Sequence, residues 1–140
     1  MKSYPKVFAV AFLLILFVIA LVVGNHFRNI RSLQSAAFTK AQLSAFAMAS
    51  VSYYSYYTNW PQSLDNLFAK SNKFVAHHMQ RVDGWGRAIQ FEPFDPKIGY
   101  AVIRSLGRDG KPGGTNTDAD IVIFFGPFGM SPTKPVQSAP

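Results

Sequence analysis

Between two apolar stretches the chain carries Ser105-Leu106-Gly107-Arg108-Asp109-Gly110-Lys111-Pro112-Gly113-Gly114-Thr115-Asn116-Thr117-Asp118-Ala119-Asp120-Ile121. Asp109, Asp118 and Asp120 supply anionic oxygens, while Gly107, Gly110, Gly113 and Gly114 leave the backbone free to turn its carbonyl oxygens inward. Hard oxygen donors of this kind suit calcium, which takes roughly 6–8 oxygen ligands. Carboxylates crowded into one loop repel one another unless a cation or solvent relieves them. The competing reading is a solvated turn in which Asp118 and Asp120 end a strand beside Arg108 or Lys111. The spacing excludes an EF-hand, which needs acids at alternate positions and a distal glutamate, and it is not the Gly-Gly-x-Gly-x-Asp calcium repeat.

Catalytic constellations are thin. His77 and His78 are adjacent, so they diverge on a helix and point to opposite faces of a strand, a poor arrangement for one metal. His26 has no identifiable acid partner. The chain contains no Gly-x-Ser-x-Gly elbow, phosphate loop or His-Glu-x-x-His, so neither an enzyme nor a small-molecule substrate is expected. Asp83-Gly84-Trp85-Gly86 reads as structural, with the glycines allowing a tight turn before a strand and Trp85 closing one end of the sheet. With no cysteine, disulfides and thiolate zinc sites are excluded.

The net charge of +7 is unevenly placed. Lys2, Lys6, Arg28, Arg31 and Lys40 precede the first carboxylate, Asp65; beyond Lys40, nine basic and seven acidic side chains nearly cancel and are scattered. No basic stripe interleaved with aromatics is present, so nucleic acid is not an expected partner.

These residues must be carried by elements, and the first is apolar. Val7 to Val23 runs without a polar residue between Lys6 and Gly24-Asn25-His26. As helix, about 18 residues reach about 27 Å, enough to cross a bilayer. A cleaved secretory signal is a weaker reading, since only Val22-Val23-Gly24 approaches a cleavage site, and a buried soluble helix with no polar face would need protein on every side. We expect an uncleaved anchor in the lipid bilayer. The basic residues on its two sides roughly balance, and the short amino-terminal tail favours that end inside.

From Phe27 to Tyr57 neither Gly nor Pro interrupts the chain, and the Ala-rich run predicts that anchor and stem form one continuous helix. Leu43, Phe46, Ala47, Ser50, Tyr53 and Tyr57 share a side that can pack on a sheet, and the tyrosine cluster 53–57 reads as packing rather than a binding platform. Pro61 ends the helix, and a short second helix is expected from Ser63 to Ala69, burying Leu64, Leu67 and Phe68. Three strands follow: Ala88 to Phe91, Tyr100 to Ser105, and Ile121 to Phe125. The expected class is α+β, a long N-terminal helix on a small antiparallel three-stranded sheet. Residues 1–6 form a cytoplasmic tail, 7–24 the transmembrane helix, 25–125 the stem and head, and 126–140, with four prolines and two glycines, a disordered tail.

The order of these pieces carries a resemblance. A long helix, Trp60-Pro61-x-Ser63-Leu64-x-x-Leu67, Asp83-Gly84-Trp85-Gly86, a strand pair, Ser105-Leu106-Gly107-x-Asp109-Gly110-x-x-Gly113-Gly114 and Asp118-Ala119-Asp120-Ile121 resemble the major pseudopilin of type II secretion systems, the G-type protein, over roughly Thr39 to Ile123. The resemblance implies a pilin-like fold, a calcium ion held by the Leu106 carbonyl and by Asp109, Asp118 and Asp120, and assembly with other pseudopilins as a homo- or hetero-oligomer. It further implies a single-pass protein of the bacterial inner membrane with a periplasmic C-terminal domain that serves protein secretion.

At the amino end the chain departs from the family. Lys6 stands where the leader's glycine is expected, and Ala11 where the mature chain carries glutamate. A second function class therefore stands beside the assembling subunit: a membrane-tethered calcium-binding module that shares the head fold and does not polymerise.

Overall fold

In the computed structural model, which describes residues 4–69, 74–76 and 78–134, Tyr4–Tyr57 form a single α-helix, α1. Pro5 sits in its first turn, where a missing N–H costs nothing. The helix ends as Thr58 turns to φ 58° and donates its N–H to the Tyr54 carbonyl at 2.7 Å, three residues before Pro61. Residue contacts divide the chain into two units, Met1–Leu33 and Gln34–Pro140. In the first, the large apolar side chains from Val10 to Val23 are 46% to 64% exposed, and the most apolar 18-residue window has mean hydropathy 2.5 with none of it buried. Protein therefore does not cover this stretch among the described residues, and by length and composition it can cross a membrane.

In the second unit, α1 presents Leu43, Phe46 and Ala47 at 0% exposure, with Ala49 and Tyr53 also buried. Ser50 lies fully buried on the same face because its Oγ donates back to the Phe46 carbonyl at 2.8 Å, so no polar atom is left dry. A short helix, α2 (Leu64–Ala69), adds Leu64 and Leu67 to this core. Its approach is braced by Asn66, whose Oδ1 accepts the Gln62 and Ser63 amides. Trp60 is sandwiched between Tyr54 of α1, at 4.4 Å and 12°, and Phe94, at 4.8 Å and 18°. The aromatic residues at the helix end are thus packing elements, as expected.

The sheet has four antiparallel strands in sequential order: β1 (Gln90–Asp95), β2 (Tyr100–Ser105), β3 (Ile121–Gly126) and β4 (Gly129–Ser131). Alternation sends Phe91, Ala101, Ile103, Ile123 and Phe125 into the core shared with α1. Tyr100 and Phe124 pair on the opposite side, where Arg104 bonds Gln90 and Glu92. Burying each large core side chain contributes about 1.5–3 kcal/mol.

Two expectations need correction. The sheet has four strands, not three; β4 lies in the stretch read as a disordered tail, because Gly126 and Gly129 pair and fold Phe125 and Phe124 against Met130 and Ser131. The first strand runs Gln90–Asp95 rather than Ala88 to Phe91. Pro93 lies inside it, tolerated because β1 is an edge strand whose register slips between Glu92 and Asp95. Residues 1–3 of the amino-terminal tail and 135–140 of the carboxy-terminal tail lie outside the described residues, as does His77.

Candidate functional site

Pairing of Ser105 with Ile121 brings the two ends of the acidic loop together at the end of β2 and the start of β3. Gly107, Gly110, Gly113 and Gly114 all take positive φ, from 64° to 93°, a region that costs other residues about 1–2 kcal/mol. Two of them also make close approaches. A Cβ on Gly107 would lie 2.5 Å from the Asp118 carbonyl oxygen, and one on Gly114 would strike the same oxygen. The Asp118 carbonyl is therefore cradled between two glycine backbones, beside the short 3-10 turn Asn116–Asp118.

Main-chain bonds pin the cradle. The Arg108 amide donates to Thr117 O at 2.9 Å, the Asp118 amide to Thr115 O at 3.0 Å, and the Asp120 amide to Gly113 O at 3.0 Å. The structure places the four candidate ligands on this frame: Leu106 directly after β2, Asp109 in the following turn, Asp118 at the end of the 3-10 turn, and Asp120 just before β3. It does not gather the carboxylates into one cluster; among the described residues no group of three or more acids or histidines is close enough to hold a metal ion. Asp109 instead accepts the Lys111 amide at 3.0 Å. Asp118 is held by the Arg108 guanidinium in a two-pronged ion pair, Nε to Oδ1 at 2.7 Å and Nη2 to Oδ2 at 2.9 Å. That hydrogen-bonded pairing holds the Asp118 carboxyl below its ordinary pKa and raises that of Arg108. Asp120 differs from both, since its Oδ1 is buried and has no hydrogen-bond partner among the described residues. It also lines a groove of about 620 Å³ between Lys40 of α1 and Ile121, Ile123 and Met130 of the β3–β4 hairpin.

The loop is anchored by a residue that sequence reasoning left as part of a turn. Asp83 is only 4% exposed; its Oδ1 accepts the Trp85 and Arg87 amides, both at 2.9 Å, and its Oδ2 accepts the Ser105 hydroxyl at 2.6 Å. Ser105 Oγ in turn accepts the Gly107 amide at 3.2 Å. On its other side the neighbouring Gly84 amide donates to Thr39 Oγ1 at 2.8 Å, and Thr39 donates to Ser35 O at 2.7 Å. Hydrogen bonds thus connect the stem of α1, Asp83 and the first turn of the loop. Arg87 adds a brace from outside, with Nη1 3.4 Å from Gly107 O and its side chain laid against Gly110. Of the two glycines expected to turn the chain, Gly86 does so at φ 81°, whereas Gly84 is required by space, because a Cβ there would strike the Ser35 backbone of α1. The bonds from Asp83 to residues 85 and 87 have the local pattern of an aspartate turn; Ser105, 22 positions away, has no such signature.

None of the curated proteins compared is significantly similar to the chain. The family profile described as type II secretion system (T2SS), protein G, matches residues 29–123, from before Thr39 through Asp83-Gly84-Trp85-Gly86 and the acidic loop into β3. Well over half of the 140 residues are matched, and the architecture is a long N-terminal helix with an antiparallel sheet. The chain belongs to the type II secretion system protein G family, the major pseudopilins, which are structural components of that machinery and not enzymes.

Proposed function

We propose that the protein is a membrane-anchored pseudopilin of the bacterial inner membrane whose C-terminal domain lies in the periplasm, assembles with other pseudopilins, and is stabilised by calcium. The observation that carries the anchoring is the uncovered apolar stretch of α1, whose side chains would otherwise meet water at a cost of about 25 cal/mol for each Å². Family membership supports the assembly role.

For calcium, the donor set is all oxygen. The buried Asp120 Oδ1 lacks a donor, and the loop glycines hold backbone carbonyls at close quarters, so the residues suit a hard cation. Leu106 through its carbonyl, and Asp109, Asp118 and Asp120 through their carboxylates, would hold the ion, with Asp118 first leaving Arg108. A bound ion would neutralise the loop's acids and fix its ends. In protein stripped with chelator and kept in nonionic detergent, calcium at about 100 times its Kd should add about 2.7 kcal/mol to stability. No calcium-dependent rise in Tm would sink the calcium part of this reading and leave the anchoring and assembly parts standing.

The second reading, a tethered module that does not polymerise, follows from the sequence expectation that Lys6 and Ala11 occupy the places of the family's leader glycine and glutamate, ahead of the matched residues 29–123. Crosslinking between copies separates the two.

A further inference from the structure

We infer that Arg108 is the loop's own cation, occupying Asp118 until a calcium ion displaces it and thereby setting the affinity of the site. The inference rests on the calcium reading above and concerns what holds Asp118 before an ion arrives. Both Asp118 oxygens are taken by one guanidinium fork, at 2.7 and 2.9 Å. The pairing is built into the main chain. The Arg108 amide is bonded to Thr117 O at 2.9 Å, so the arginine backbone runs beside the 3-10 turn that carries Asp118. Gly107, immediately before Arg108, packs on the Asp118 carbonyl and fixes the same juxtaposition from the other side.

Displacement is feasible because neither partner is deeply committed. The Arg108 side chain is 49% exposed and that of Asp118 31% exposed, so the guanidinium can swing into water when a dication arrives. Arginine keeps its proton throughout, and an aspartate is anionic at neutral pH. The exchange is therefore one cation for another. Calcium would bring twice the charge to the carboxylate that Arg108 engages through both of its prongs. Once released, Arg108 is a free cation on the surface of the loaded head.

The test is calorimetric titration of calcium into the chelator-stripped full chain in nonionic detergent, at neutral pH and about 0.15 M salt, where charges beyond about 8 Å are largely screened. Arg108→Gln should tighten binding roughly three- to fivefold, the upper end of what removing an exposed ion pair gives, as suits a two-pronged one. Arg108→Lys, which keeps the charge and loses the fork, should fall between. Lys111→Gln makes the same charge change in the same loop at a side chain with no ion pair among the described residues, and should shift affinity less than about 1.5-fold. Equal effects of Arg108→Gln and Lys111→Gln, or wild-type binding that Arg108→Gln leaves unchanged, would overturn the inference while the calcium reading stands. Absence of binding in every variant, wild type included, would remove the calcium reading and the inference with it. A readout without metal runs beside this one: in chelator, Arg108→Gln should speed hydrogen exchange of the Arg108 and Asp118 amides, and unchanged exchange contradicts the latch.

Discussion

Ser105→Ala removes a single oxygen and should cost more than most core truncations of its size. Ser105 is 0% exposed, and its Oγ donates to Asp83 Oδ2 at 2.6 Å while accepting the Gly107 amide at 3.2 Å. Without it, a buried carboxylate loses a charge-assisted bond of about 1.5–3 kcal/mol, and a buried amide is left dry at about 1–3 kcal/mol. The two losses partly relax into one another, and we expect a net cost of about 3 kcal/mol. For a folded unit of this size that is a fall in Tm of about 10–20 °C. Thermal unfolding of the full chain in detergent, followed by circular dichroism in chelator, reads it directly. Ser52→Ala serves as control, because its exposed Oγ bonds the Met48 carbonyl of its own helix, and it should change stability by less than about 0.5 kcal/mol. A double-mutant cycle with Asp83→Asn should give a coupling of about 1–2 kcal/mol, since the side-chain amide that replaces the carboxylate donates to the Ser105 oxygen and leaves its hydroxyl proton without an acceptor. A Ser105→Ala cost below about 1 kcal/mol, or additive effects in the cycle, would refute the reasoning that Asp83 holds the loop through Ser105.

Two further predictions follow from the same geometry. Gly84→Ala should destabilise by about 2–4 kcal/mol, because its Cβ would meet the Ser35 backbone and the displacement would strain the Gly84 amide bond to Thr39, whereas Gly86→Ala, with open space around it but φ 81°, should cost only about 1–2 kcal/mol; equal melting temperatures for the two variants would contradict this. On acidification, the Arg108–Asp118 pair should follow a depressed carboxyl. Its contribution is fully present above the ordinary carboxyl value of 3.8 and is lost as pH falls through the lower folded-state value, so in chelator the Tm difference between wild type and Arg108→Gln should shrink below about pH 4 and not on the alkaline side.

How far the sequence reaches depends on the range of the forces that decide each feature. The helix to Tyr57, β2 at Tyr100–Ser105 and the start of β3 were legible because unbroken helix formers and an apolar run act locally. β4 was not, since three residues that start on Gly129 and stop before Pro132 have no periodicity, and only pairing with Phe124 and Phe125 makes Met130 and Ser131 a strand. The end of β1 was hidden by Pro93, which is acceptable only on an edge that sequence does not reveal. In the loop, the acids and glycines were visible, and Arg108 stood among the possible neighbours of Asp118. The role of Asp83 was not visible, because it depends on Ser105 and on Gly84 meeting α1 across long stretches of chain.

The proposed function has this chain assembling with other pseudopilins, and thiols on the stem of α1 test whether copies of it meet there. The chain has no cysteine, so Ala37→Cys with Ala45→Cys introduces its only thiols. Both positions lie on α1, eight residues apart or about 12 Å along the axis, too far for a bridge within one helix. Oxidative crosslinking in cells that make the secretion machinery should yield a ladder of dimers and higher species. Monomer alone, with the protein present in the membrane, would contradict assembly and favour the tethered module.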